Sequence, residues 1–164
     1  MKIVLTKEQI NQANKAGNNR QSYNEKIGKK DAYGFRGNGR KIHIQGATAE
    51  LAVSIALNED WIDFSEDYEL LEADVGKNIQ VRSTDYKYGN LLIHPKDKDE
   101  QVFILVKSHN FPEMEIVGWI KGADAKKDEY WEDGSNWPAF RNRPCYRVPY
   151  QKLNPIKNII RTNK

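Results

Sequence analysis

The sequence predicts an α+β domain, and three observations carry that reading. Residues 44–57 place alanines together with Leu51, Val53 and Ile55 at helical spacing. Downstream come short runs rich in Val, Ile and Leu at 79–82, 90–94, 102–107 and 115–120. Turn residues separate them: Tyr88-Gly89-Asn90, residues 95–99 and Asn110-Phe111-Pro112. With 164 residues, a single domain spanning 1–164 and a sizeable core are expected.

The elements follow in order. Thr6 has the chemistry of an N-cap, with Glu8 and Gln9 in the first turn, so a helix is expected from Lys7 to about Ala16, stopping at Gly17-Asn18-Asn19. Residues 20–41 are polar and basic, with Gly28, Gly34, Gly37 and Gly39 making the end of the stretch a loop. The 44–57 helix ends at Asn58-Glu59-Asp60, and residues 61–64 and 68–71 read as extended or irregular. The strand runs are largely continuous in apolar residues, which suits a sheet covered on both faces. Residues 123–132 hold a short helix or turn, residues 145–148 a last short strand. A closing helix is expected from Asn154 as N-cap and Pro155 as its first residue. The overall order is helix, helix, strand meander, short helix.

Composition narrows the function classes. Charged residues make up 30%, and the net charge of +3 permits nucleic-acid binding without demanding it. Cys145 is the only cysteine, so the chain has no internal disulfide; it reads as a half-buried strand residue rather than a nucleophile. Met1 to Lys7 lacks the apolar run of a signal peptide. No stretch approaches the roughly 18 to 20 apolar residues of a membrane span. A cytoplasmic location without membrane attachment is the expectation.

Residues that carry chemistry gather in two places. Glu50 is a lone acid on a helix of small and apolar neighbours, and an unpaired buried carboxylate is costly, so it should be paired or functional. Asp74 opens the turn Gly76-Lys77-Asn78, and the strand behind it alternates, with Ile79 and Val81 facing one way and Gln80 and Arg82 the other. Asp at the start of such a turn is also ordinary turn chemistry, and Arg82 paired to Glu50 or Asp74 is the plain structural alternative. The basic stretch from Lys26 to Lys41, with Tyr33 and Phe35 in it, suits a phosphate backbone or a solvated loop. His43, His94 and His109 show no metal spacing, and Asp97-Lys98-Asp99-Glu100 reads as a charged hairpin tip.

An acid on a helix, an acid at a strand start and a polar pair one strand later resemble the PD-(D/E)XK nuclease superfamily. The matching residues are Gly46-x-x-x-Glu50, Asp74 and Gln80-Val81-Arg82, and the resemblance covers roughly residues 43–121. It implies a restriction-endonuclease-like mixed sheet of about four to five strands flanked by helices. Residues 1–41 would then be an N-terminal helix and basic loop, 42–121 the nuclease-like core and 122–164 an extension. It also implies a small phage-type Mg²⁺- or Mn²⁺-dependent DNA nuclease, acting in the cytoplasm of a bacterial host. Glu50, Asp74 and Gln80 would hold the metal and Arg82 the scissile phosphate. Lys30, Arg36, Arg40, Lys41 and Lys77 would engage DNA, and a homodimer stays open.

Two departures from the pattern separate fold from activity. Gln80 stands where the family has an acid, and brings no negative charge to a metal. Arg82 stands where the family has Lys, and clamps phosphate well but carries protons poorly. Lys77 and Lys87 are close enough in sequence to supply a migrated lysine. The alternative is a catalytically inactive DNA-binding or host-modulating protein of the same fold, and a third is a protein-interaction module.

Overall fold

A computed structural model of the chain describes residues 1–28, 39–61, 63, 73–135 and 143–162. Thr6 begins the first helix as expected: its hydroxyl accepts from the Gln9 N–H (3.3 Å), and the Gln9 side chain accepts from the Thr6 N–H (2.8 Å). This helix, α1, spans Lys7–Lys26 and does not stop at Gly17. Gly17 is instead a packing residue. A Cβ built there would lie 2.5 Å from Ile44 Cα on the second helix, α2 (Gly39–Leu57). Ala13, Ala16, Ala47 and Leu51 fill the seam between the two helices. The seam's small residues let the two backbones approach closely, and that contact sustains α1 through a sequence rich in Asn. The polar, basic stretch 20–41, whose end was expected to be a loop, is helical over 20–26 and from 39 onward, with Tyr33 and Phe35 outside the described residues.

Helix α2 is buried on every side from Ala47 to Val53. A helix apolar all round is enclosed by protein, and α2 lies between α1 and the first sheet. It ends at Asn58, whose φ of 54° is one that Asn tolerates well.

The first sheet has the order β1 (Lys2–Val4), β5 (Glu113–Lys121), β4 (Val102–Asn110), β2 (Ile79–Thr84). The β1–β5 and β5–β4 pairs are antiparallel, and β2–β4 is parallel, so the sheet is mixed. The domain is therefore α+β, a mixed sheet flanked by helices. The expected meander does not form. Strand β3 (Leu91–Ile93) leaves the first sheet and joins β7 (Cys145–Val148) and β6 (Trp131–Glu132) in a second, antiparallel sheet. That departure leaves β4 to return beside β2 in parallel. β1 was not evident in the sequence; three residues are too few to show alternation.

Strand alternation creates two cores. Ile79 and Val81 of β2 join Ile104, Val106, Ile116, Ala49 and Val53 under α2. Phe103 and Leu105 face the other way, onto Leu91, Ile93 and Val148 of the second sheet. Between the sheets and the C-terminus, the short helix α3 (Gly122–Ala125) follows β5 directly. The closing helix, α4 (Lys157–Thr162), starts later than expected. Asn154 is not its cap: its backbone pairs with that of Trp119 at 2.8 and 2.9 Å. Among the described residues no helix is long and apolar enough to cross a membrane.

Replacing a helical glycine by alanine ordinarily stabilises by about 0.5–1 kcal/mol. Gly17→Ala is expected to do the reverse, lowering stability by roughly 1–3 kcal/mol through overpacking against α2. A lowered urea midpoint by equilibrium denaturation is the expected result; a raised one would show that the helices do not meet at Gly17.

Candidate functional site

Glu50 points from α2 toward α1 and is 6% exposed. Arg20 of α1 donates to both its oxygens, Nη1 to Oε1 at 2.7 Å and Nη2 to Oε2 at 2.6 Å. The indole Nε1 of Trp61 donates to Oε2 as well, at 2.9 Å. The buried carboxylate is thus paired in the bidentate geometry that best offsets its loss of water. Arg20 was not singled out in the sequence, because a helix ending at Gly17 places it in a loop. Continued to Lys26, α1 puts Arg20 three residues beyond Gly17, on the face that meets α2.

Asp74 begins a tight hairpin against the outer edge of β2. Its N–H and that of Val75 both donate to Ile79 O, at 2.9 and 3.2 Å, and Gly76 supplies the positive φ of 57° that the turn requires. The Asp74 carboxylate accepts the Val81 N–H at 2.7 Å. β2 is an edge strand, so this N–H has no strand partner, and Asp74 takes the place of one. Burial, followed by the charge of Glu50, raises the Asp74 carboxyl from its ordinary value of 3.8 to about 6; the Val81 N–H, Arg82 and Arg20 oppose the rise.

Gln80 and Arg82 lie on the far face of β2, away from α2. Arg82 Nη1 bonds Gln80 Oε1 (3.3 Å) and sits 3.9 Å from Asp74 Oδ2. Arg82 Nη2 bonds Asp97 Oδ2 (3.1 Å), and the guanidinium covers the Phe103 ring at 5.3 Å. Asp97 is in turn fixed by the His94 N–H at 2.9 Å.

The four residues expected at the site are therefore brought together as a chain around a sheet edge. Glu50 lies on one side, Asp74 at the edge, Arg82 and Gln80 on the other side, with Arg20 and Asp97 closing the two ends. A divalent ion needs hard oxygens turned toward it. Both Glu50 oxygens face Arg20, the Gln80 oxygen faces Arg82, and a guanidinium flanks the acids at each end. In this arrangement the donor set does not fit Mg²⁺ or Mn²⁺.

The residues expected to engage DNA are dispersed. Arg40 donates to Asn18 Oδ1 (2.8 Å) and lies 3.8 Å from Glu25, tying α2 to α1. Lys41 lies 4.0 Å from Asp85, and Lys77 is exposed at the hairpin tip. Lys30 and Arg36 fall outside the described residues.

A groove of about 790 Å³ opens beside Arg82, between the two sheets. Arg82, Lys87, Arg143 and Arg147 line it together with Tyr86 and Tyr88. The sequence carried a signal for it that went unread, the interleaved Tyr86-Lys87-Tyr88. Burial, with Arg82, Lys96 and Arg143 acting in the same direction against Asp97, lowers the His94 imidazole below its ordinary value. Cys145 is buried on β7, its thiol raised chiefly by burial, in keeping with a strand residue rather than a nucleophile. Comparison of the chain with family models, curated proteins and solved structures found no match.

The Asp74 shift has a sign that an experiment reads. Its folded value lies above its unfolded one, so the folded state binds this proton more tightly and stability falls as pH rises from 3.8 to about 6. Asp74→Asn keeps an oxygen for Val81 and removes the charge. Its thermal unfolding is expected to show a gain on the order of 1–2 kcal/mol at about pH 8 that vanishes by about pH 4. An equal effect at both values would mean that the carboxyl titrates normally.

Proposed function

We propose that this protein binds nucleic acid through the groove beside Arg82, and that its acid cluster serves to organise the site. The observation that carries this reading is the lining of that groove, where Arg82, Lys87, Arg143 and Arg147 meet the exposed rings of Tyr86 and Tyr88. Cations that track a phosphate backbone, interleaved with aromatic rings that stack on bases, are the usual means of holding nucleic acid. Arg143 has no ion pair or hydrogen bond among the described residues. Its charge is available to a phosphate, whereas that of Arg82 is shared with Asp97.

Metal-dependent DNA cleavage is the second reading. One observation favours it: Glu50 and Asp74 lie close enough for the charge of Glu50 to raise Asp74, and a cation would relieve that repulsion. For this reading Arg20 would have to release Glu50.

One set of experiments separates the two. Gel shifts at low salt are expected to show DNA binding without any divalent ion. The logarithm of affinity should fall with the logarithm of salt with a slope of about −2 to −4, for two to four phosphate contacts. Arg143→Ala is expected to weaken binding and flatten that slope by about one. Plasmid, linear and branched DNA should stay intact with Mg²⁺ or Mn²⁺. Cleavage that Asp74→Ala abolishes would establish the second reading, and the absence of binding at low salt would remove the first.

A further inference from the structure

We propose that the groove seats a single unpaired nucleotide, its base against Tyr86 and Tyr88 and its phosphate at Arg143 and Arg147. The inference rests on the nucleic-acid reading above and narrows it from a surface to a substrate form.

Shape comes first. The lining is drawn from both sheets: Arg82 and Leu105 from the first, Leu92 and Arg147 from the second. An open groove of about 790 Å³ lined in this way is of the size that holds one small organic molecule. A duplex can lie across its mouth but cannot enter it, whereas one nucleotide swung out of a strand can.

The chemistry of the walls points the same way. Tyr86 is 75% exposed and Tyr88 70%, although both sit beside an apolar interior formed by Leu92 and Leu105. Large aromatic rings left in water at a groove lip are free to take a planar partner. Their loop is held in place rather than loose. The Tyr86 N–H donates to Thr84 Oγ1 (3.2 Å), the Gly89 N–H donates to Tyr86 O (3.0 Å), and Ser108 Oγ donates to Thr84 O (3.3 Å). Lys41 of α2 lies 4.0 Å from Asp85 at the start of the loop. Lys87 extends over the Tyr88 ring at 5.5 Å, bringing a cation beside the stacking surface. Because the backbone that carries the rings is already ordered, stacking would restrict the side chains and not the loop.

Charge completes the case. Glu132 is the one acid in the described lining, against Arg82, Lys87, Arg143 and Arg147. The excess stays cationic when Asp97 is set against Arg82, and Arg147, which has an interaction of its own, is left out of the balance. A base alone would leave this excess unanswered; a phosphorylated nucleoside answers it.

The test measures affinity at low salt for a mixed-sequence single-stranded oligonucleotide, for the duplex of the same sequence, for the single strand with abasic sites, and for a free deoxynucleoside monophosphate. The single strand is expected to bind about tenfold or more tighter than the duplex. Tyr86→Ala and Tyr88→Ala, both at exposed positions, should each weaken single-strand binding roughly 5- to 100-fold while leaving the melting temperature unchanged. Abasic substitution should mimic them. Binding of the monophosphate with the same tyrosine dependence also supports the nucleotide seat and identifies a free nucleotide as a second source of the ligand. Equal binding of single strand and duplex, insensitive to both tyrosines, overturns the inference and leaves the general reading in place. No binding of any of these overturns both.

Discussion

The buried ion pair between Arg20 and Glu50 is the interaction on which the rest of the site depends. Each side chain lies on a different helix, and each is nearly out of water, at 12% and 8% exposure. Such a pair forms only where two helices come close enough for a guanidinium to reach across without bending. Gly17, Ala13, Ala16 and Ala47 provide that closeness. Trp61 adds a third donor from the segment leaving α2 and ties it to the same carboxylate. Loss of either charge would leave the other buried and uncompensated, a larger penalty than the pair's net contribution to stability.

From that pair, the site propagates by charge through the edge of the first sheet. Asp74 closes the edge of β2 by taking the Val81 N–H, and so stands where it senses Glu50 on one face and Arg82 on the other. Arg82 links this edge to Asp97 and, through the His94 N–H on Asp97, to the end of β3 in the second sheet. The groove exists because β3 departs from the first sheet and returns over its face, carrying the Tyr86–Tyr88 loop with it. Acid cluster and groove are thus two sides of one edge strand, joined at Arg82.

Much of this was legible in the sequence where local chemistry decides. The Thr6 cap, the α2 register, the end of α2 at Asn58 and the alternation of Ile79, Gln80, Val81 and Arg82 all follow from spacing or capping preference. The isolation of Glu50 among small residues announced that it would be paired or functional, and the structure pairs it with Arg20. Its partner was hidden because Gly17 reads as a helix stop when only the local chain is considered, whereas the structure uses it for contact with Ile44. The parallel pairing of β2 with β4 was hidden for a similar reason: nothing in residues 85–101 announces that β3 pairs with Cys145–Val148 rather than with β2. Asn154 carries the chemistry of a helix cap yet is held by Trp119 across a strand edge. In each case a long-range contact overrides a local preference, and the pairing of Arg20 with Glu50, 30 residues apart in the chain, was closed to sequence reading for that reason.

A double-mutant cycle on Arg20 and Glu50 tests the central claim most directly. Equilibrium urea denaturation of the wild type, Arg20→Met, Glu50→Gln and the double variant gives the coupling between the two side chains. The account predicts that each single change costs about 3–5 kcal/mol and that the double variant costs less than their sum by more than about 1 kcal/mol. Additive losses, with no coupling between the two positions, would contradict it.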